Sequence, residues 1–418
     1  MITIEEIRRK YLGAPGYSDE DLEVVRTVHE YVDKEIMPRR KDLDGGWHHD
    51  EKLAKDTIEK VHQGLVDIGV QRMAYPESVG GLGVAPGLGS MVFEEIARGD
   101  CGLATHIGII GWVMGAIVGA GRWDIAEPLV KKVCDDKPHA SCMALTEPAG
   151  GANVEDPTQH GRTIRTIAKL DGEEWVISGH KVWPSGAGMS DTAYLTVCTT
   201  DPEQGDDGIA LILVPPDAEG LSFSKPFEKM GMCWTDINAE IFYDDVRVPK
   251  ENRLLGPGGD AALLHNIVAG GRSGTCVWAT GVAQACFEIV VNYTKDREIA
   301  GRPVRSRSLH ASIIGEMALR IDCARAYQQK VAEMTRSRQF GRSGEPFLLS
   351  KCSAAQNFGC ETAIWVAHKA MELMGSYGYS YDYHIEKYLR DAKILQLWLG
   401  GPQRRLLDTA LGYYTFEW

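Results

Sequence analysis

Residues 174–199 read EWVISGHKVWPSGAGMSDTAYLTVCT, and the reading of this stretch decides the fold. Trp175–Val182 and Tyr194–Cys198 are short runs rich in β-branched and aromatic residues, parted by a Pro/Gly/Ser/Asp cluster. That composition predicts strands with a loop between them. Working outward, Ile164–Leu170 lies before them across the Asp171-Gly172 turn. Ile209–Val214 and Ala239–Val248 follow, with Pro215-Pro216-Asp217 as punctuation. Residues from about 140 to 255 therefore predict a small β-domain, a barrel or a sandwich.

On either side the period changes. Ser18 and Asp21 form a capping-box pair ahead of Leu22, Val25, Val28, Val32 and Ile36, three or four apart, and Pro38 is expected to end the run. Val61, Leu65 and Ile68 continue the helical spacing. PESVGGLG at 76–83 reads as a turn-rich loop before an apolar-faced helix over Met91–Ala97. Beyond the β zone, long helices are expected at roughly 260–296, 308–339, 347–374 and 384–412. The class is α+β, in three parts: an N-terminal helical domain at 1–138, the middle β-domain at 139–256 and a C-terminal four-helix bundle at 257–418. No fixed-period repeat or low-complexity tract interrupts this order.

Length and composition agree. A chain of 418 residues is too long for one core. Its 44% apolar and 25% charged residues exclude disordered and fibrous classes. A net charge of −13 argues against nucleic acid as a partner, while leaving room for a local basic patch around a small phosphorylated ligand. The ten cysteines show no C-x-x-C, so neither a disulfide framework nor a zinc site is expected, and a reducing cytoplasmic location is. MITIEEIRRKYLG at the start lacks the apolar core of a secretory signal. Ile107–Gly121 carries no charge, and Gly111, Gly115 and Gly119 recur at every fourth position. It is shorter than the roughly 20 residues of a bilayer span, so a buried helix with close contacts is expected, not a membrane crossing.

Metal and nucleotide motifs are absent. The histidines, including adjacent His48 and His49, lack ligand spacing, and no metal is expected. Neither G-x-S-x-G nor a P-loop occurs, and Ala149-Gly150-Gly151-Ala152 lacks the Rossmann spacing. Two segments suit a flat aromatic cofactor. Leu145-Thr146-Glu147-Pro148 leads into a small-residue turn whose backbone N–H groups and Thr146 hydroxyl can meet a polar ring edge. Lys181-Val182-Trp183-Pro184-Ser185 sets an indole beside a hydroxyl. On composition alone, Trp183 reads equally as a core residue and Ser185 as a turn residue.

Several strings, in one order along nearly the whole chain, are similar to those of the acyl-CoA dehydrogenase family of flavoproteins. They are PESVGGLG (76–83), ALTEPAGGANV (144–154), HKVWPSGAGMSDTAYL (180–195), KMGMCWTD (229–236), YDDVRVPKENRLLG (243–256), DREIAGRPV (296–304) and GYGYSYDYHIEKYLRDAKILQLW (377–398). The resemblance implies FAD and an acyl-CoA substrate. Leu145, Thr146 and their turn would hold the flavin pyrimidine edge, Trp183 would lie against the isoalloxazine and Ser185 near N5. Arg297 would reach the FAD pyrophosphate of a neighbouring subunit, Gln403 would lie near the adenine, and Glu372, Gly375 and Gly401 occupy further cofactor positions. Arg272, Trp398 and Leu399 would face the substrate. The resemblance also implies a homotetramer, or at least a dimer, and an electron-transferring flavoprotein as electron acceptor.

The pattern breaks at the base. Dehydrogenation removes an α-proton while a β-hydride leaves to the flavin, and a glutamate usually takes the proton. At the matching position stands Leu399, and at the minority alternative Gly271; neither accepts a proton. Gly401 replaces a threonine, Glu372 and Ser376 alter a Gln-Gly-Gly segment, Ala300 replaces a phenylalanine and Ala152-Asn153 replace Ser-Asp. Three readings follow. One is an oxidoreductase for a cyclic or otherwise unusual acyl-CoA with a relocated base, including 1,4-elimination, for which Asp100, His106 and Asp236 are candidates. A second is a flavin-dependent desulfinase, which needs no α-base. A third is a subunit without chemistry of its own that completes a FAD site in a hetero-oligomer. Trp112, Met114, Trp398 and Leu399 could shape either a ring or a branched chain.

Overall fold

The computed structural model describes residues 2–85, 87–150, 159–338, 340–342 and 344–414. Its first part is helical: α1 (Ile4–Lys10), α2 (Asp19–Tyr31), α3 (Arg40–Leu43), α4 (Glu51–Asp67), α5 (Leu88–Gly99), α6 (Cys101–Gly119) and α7 (Trp123–Val133). Ser18 caps α2 through the expected reciprocal box, with Asp21 N donating to Ser18 Oγ at 3.1 Å and Ser18 N to Asp21 Oδ2 at 2.9 Å. Pro38 does not stop the helical path. The chain passes through a π turn over Val32–Ile36 and a 3₁₀ turn over Met37–Arg39 into α3. Loosening the hydrogen-bond pattern in this way accommodates a proline without reversing the chain.

The middle part is one mixed sheet: β1 (Cys142–Ala144), β2 (Ile167–Asp171), β3 (Glu174–Lys181), β4 (Tyr194–Thr199), β5 (Ile209–Val214), β6 (Leu221–Phe223) and β7 (Ile241–Pro249). Its order is β1-β4-β2-β3-β7-β6, with β5 on β4. The five strands expected from sequence lie within a few residues of their predicted spans. β1 and β6, three residues each, are too short to show a period and were not expected. β4 and β5 are buried at every position, since the sheet core lies on one face and α6, α7 and α8 on the other.

The last part holds α8 (Gly259–Asp296), the small hairpin β8 (Glu298–Ile299) and β9 (Arg302–Pro303), then α9 (Ser308–Ser337), α10 (Pro346–Met374), α11 (Ser376–Tyr379), α12 (Ile385–Leu397) and α13 (Gly401–Leu411). The segment 384–412 is not the single helix expected. It breaks at Trp398-Leu399-Gly400, where Leu399 (φ 53°) and Gly400 (φ 100°) are left-handed. Two consecutive left-handed residues cannot continue an α-helix. α6 and α8 are long and apolar enough to cross a membrane, but 78% and 72% of their most apolar windows are buried against other elements.

Candidate active site

A cavity of about 110 Å³ opens where the sheet meets α6 and α8, closed at one end by the α12–α13 break. From the β-domain come Leu145, Thr146, Trp183 and Ser185; Trp398 and Leu399 come from the break. These six were expected at the site from sequence, and the fold brings them together. α6 adds Thr105, Ile109 and Trp112, and α8 adds Trp278, which was missed. Helical spacing of three or four from Trp112 would have found Thr105 and Ile109.

Each wall is held from beneath. Trp183 is left-handed (φ 69°), its carbonyl accepts from Asn238 Nδ2 at 2.9 Å, and its indole stacks on Phe227 at 4.1 Å between centroids. It remains 49% exposed, which leaves ring surface open to a planar partner. Thr146 rides on a buried ion pair. Lys181 Nζ donates to Glu147 Oε1 at 2.7 Å and to the Leu145 carbonyl at 3.0 Å. Glu147 also accepts the backbone N–H groups of Arg165 and Thr166 at 2.6 and 2.9 Å. Burial alone would raise the Glu147 carboxyl, but Lys181 and these donors hold it below the usual carboxylate range. Burial pulls the Lys181 ammonium down. Lys181→Met leaves Glu147 charged, buried and without its counter-ion, a loss of about 3–5 kcal/mol. Thermal unfolding should show a clearly lower Tm for this variant and recovery in Lys181→Met/Glu147→Gln; an unchanged single variant refutes the support role.

Arg272 does not border this cavity. It is fully buried, with Nη1 2.5 Å from Asp408 Oδ2 and 2.7 Å from Ser353 Oγ, and Nη2 donating to the Leu399 carbonyl at 3.1 Å. It holds the α12–α13 break in place and borders an adjoining cavity that shares Leu145 and Val268 with this one. Arg405 assists, donating to the carbonyls of Trp398 at 3.0 Å and Gln396 at 2.8 Å.

The three candidate bases separate. Asp100 caps α6 by accepting from Leu103 N at 2.8 Å and pairs with Lys387 Nζ at 2.8 Å. A carboxylate so engaged has structural work, and Asp100 does not line the cavity. His106 is buried next to cavity-lining Thr105, edge-on to His62 at 5.4 Å between centroids, and burial pushes its imidazolium down. Asp236 is 1% exposed, and burial pushes its carboxyl up against the opposing pull of Lys229, Ser185 and His106. Its Oδ1 is buried without a hydrogen-bond partner among the described residues. Asp236 and His106 are thus both buried, and each favours the charged form of the other. Among the described residues, no carboxylate and no arginine lines the cavity itself.

Other expected cofactor positions lie elsewhere on the chain. Arg297 borders a separate cavity of about 500 Å³ with Tyr293, Tyr377 and Tyr383. Glu372 is exposed on α10, paired with Lys369 and His368 at 2.6 and 2.9 Å. Gly375 ends α10 with φ 60°, and Gly401 (φ 72°) and exposed Gln403 begin α13. Residues 151–158, which include Gly151, Ala152 and Asn153, lie outside the described residues. Spacing did not predict the grouping of His160, Asp206 and His265, whose ligand-type atoms lie within 4.8 Å of one another. Arg404 Nη2 stands 3.3 Å from His160 Nε2, so a guanidinium already supplies positive charge there.

The chain is thus helical–β–helical, with a cavity at the junction of its parts walled by a half-open indole and small hydroxyls, a site suited to a planar cofactor. The comparisons assign it. Acyl-CoA dehydrogenase N-terminal, middle and C-terminal domain profiles match residues 18–137, 142–246 and 261–410. The chain belongs to the acyl-CoA dehydrogenase family and is an oxidoreductase of the class acting on the CH–CH bond of acyl-CoA. It is 27% identical over 387 residues to a probable acyl-CoA dehydrogenase of Mycobacterium leprae, covering 92% of this chain and 93% of that one. It is also 27% identical over 384 residues to the cyclohex-1-ene-1-carbonyl-CoA dehydrogenase of Geobacter metallireducens, covering 91% and 94%. The structure of a glutaryl-coenzyme A dehydrogenase–glutaryl-CoA complex superposes with a TM-score of 0.80 at 25% identity, covering 95% of each chain. Members of this family bind FAD.

Proposed function

We propose that the protein is a FAD-dependent oxidoreductase for a CoA thioester with a compact cyclic acyl group, and that its proton acceptor is not at the usual place. The observation that carries this reading is the cavity wall: Thr146, Trp183 and Ser185 face Trp398, Leu399 and Trp278, with no carboxylate among its described lining residues. The residues fit the cofactor. Trp183 offers an open ring face, Thr146 and Ser185 offer hydroxyls, and Arg297 with its tyrosines is set apart, as a site shared between subunits requires. FAD, when bound, supplies the hydride acceptor. We take the domain limits as 1–138, 139–256 and 257–418, the assembly as a homotetramer and the electron acceptor as an electron-transferring flavoprotein.

The chain's own residues bind, orient and move the proton. A groove of about 610 Å³ between α6 and α8, with Arg338 and Arg342 along its lining, suits the slender pantetheine arm and phosphates of CoA. Proton removal falls to Asp236, backed by His106 and reached through the Ser185 hydroxyl. Burial raises its carboxyl above the ordinary aspartate range, which makes its ionised form a stronger base than an exposed aspartate. The relative acting on cyclohex-1-ene-1-carbonyl-CoA supports a ring as the acyl group. A desulfinase would want an arginine facing the leaving anion, which this cavity wall does not offer among the described residues. The non-catalytic reading has one observation in its favour, the lack of a carboxylate among the described residues of that wall.

Anaerobic mixing of the flavin-loaded protein with a panel of cyclic and straight-chain acyl-CoAs tests this. Cyclohexane- and cyclohexene-carbonyl-CoA should bleach the flavin, and Asp236→Asn should slow bleaching by about 100-fold or more with ligand binding retained. Protein that stays colourless with added FAD supports the non-catalytic subunit; full activity in Asp236→Asn removes the assigned base.

A further inference from the structure

Trp112 borders two cavities at once. On one side lies the flavin-facing cavity of about 110 Å³, on the other the glycine-lined groove of about 610 Å³, and among the described residues only Ile267 joins it in lining both. The indole is seated by a missing side chain. A Cβ built on Gly271 would stand 2.6 Å from Trp112 Cη2 and 2.8 Å from Cζ2. Behind it, Trp278 lies stacked at 6.0 Å and 14°, and a Cβ on Gly108 would stand 2.6 Å from Trp278 Cζ2. Trp398 meets Trp278 edge-on at 5.7 Å, its own Nε1 donating to Thr275 Oγ1 at 3.0 Å. Two glycines on facing helices thus admit two indoles, and a third braces them. By contrast, a Cβ on Gly111 or Gly115 would meet nothing within 4 Å, so the groove beyond the indole is open.

We propose that Trp112 is the specificity-determining residue of this site. It divides the groove that takes the thioester's arm from the cavity that takes the reacting group, and restricts that group to a flat ring or a short chain lying on the indole. The inference rests on the CoA-thioester reading above. A flat, rigid group gains an aromatic face and has few rotamers to lose there. A long flexible chain meets a wall where the groove would otherwise continue.

The test uses the flavin-loaded protein, calorimetry and unreactive probes: free CoA, S-benzyl-CoA and S-octyl-CoA. The wild type should prefer the benzyl over the octyl thioether by at least about tenfold, and Trp112→Ala should erase or reverse that preference, read as the ratio of the two affinities so that any change in free-CoA affinity cancels. Trp112→Phe should fall between, and it decides the matter if the alanine variant does not hold flavin. CoA binding retained with the benzyl preference undiminished in both variants overturns the role of Trp112 and leaves the thioester reading standing. No binding of CoA or either thioether to the wild type overturns that reading, and this inference with it.

Discussion

Leu399→Glu should create ordinary α,β-dehydrogenation of a short straight-chain acyl-CoA, raising the rate of anaerobic flavin reduction by butyryl-CoA by about 100-fold or more. The position is ready for the change. Leu399 faces the cavity from a backbone already in the left-handed region, so glutamate inherits that strain and adds none of its own. Arg272 holds its carbonyl and Arg405 that of Trp398, and neither grip involves the side chain to be replaced. The new carboxyl would sit among Trp278, Trp398 and Ile267, where burial raises its pKa. A base works ionised, so the gained rate should fall as pH drops through that raised value. Leu399→Gln, equal in size and unable to take a proton, should gain nothing. Stopped-flow measurement of flavin bleaching across pH reads all of this. A flat result, with butyryl-CoA binding seen as a perturbed flavin spectrum, rejects the placement of Leu399 against the α-carbon.

How much of this was legible in the sequence follows from range. The strands around 174–199 and the Ser18 cap are local patterns, and they stand where the residues indicated. Thr146, Trp183, Ser185 and Leu399 are distant in sequence, and no period places them together; resemblance did, through motifs in a fixed order. What neither source gave was the use of a charge. Asp100 and Arg272 were legible as ionisable residues near the site, but their partners, Lys387 and Asp408, are 287 and 136 residues away. Only the fold shows that both are engaged. The helix break at Trp398–Gly400 was missed for a related reason: apolar spacing runs through Leu397 and Leu406, and the left-handed Leu399 is held by tertiary hydrogen bonds rather than by any preference of its own.

Gly271→Glu, the other way to rebuild a base, should fail where Leu399→Glu succeeds. A side chain on Gly271 begins 2.6–3.2 Å from three ring atoms of Trp112, and Trp278, stacked on that indole, is itself wedged over Gly108. The added chain must push one indole out or remain strained. Overpacking of this kind costs about 1–3 kcal/mol, and a carboxylate forced against apolar rings costs more. The expected result is a lower Tm and no gain in flavin reduction. The double variant Gly271→Glu/Trp112→Ala removes the obstruction, and should recover most of the Tm and only then acquire activity. The non-additivity expected for two groups in contact is about 0.5–3 kcal/mol. Thermal unfolding and anaerobic flavin reduction on the four members of the cycle measure it. Additive effects, or activity in the single Gly271→Glu variant, would show that the indole is not what excludes a side chain there. If the coupling is found, the glycine at 271 is a steric requirement of the tryptophan wall. The absent base and the restricted pocket then become one structural choice, because the volume a glutamate would need is the volume the indole fills.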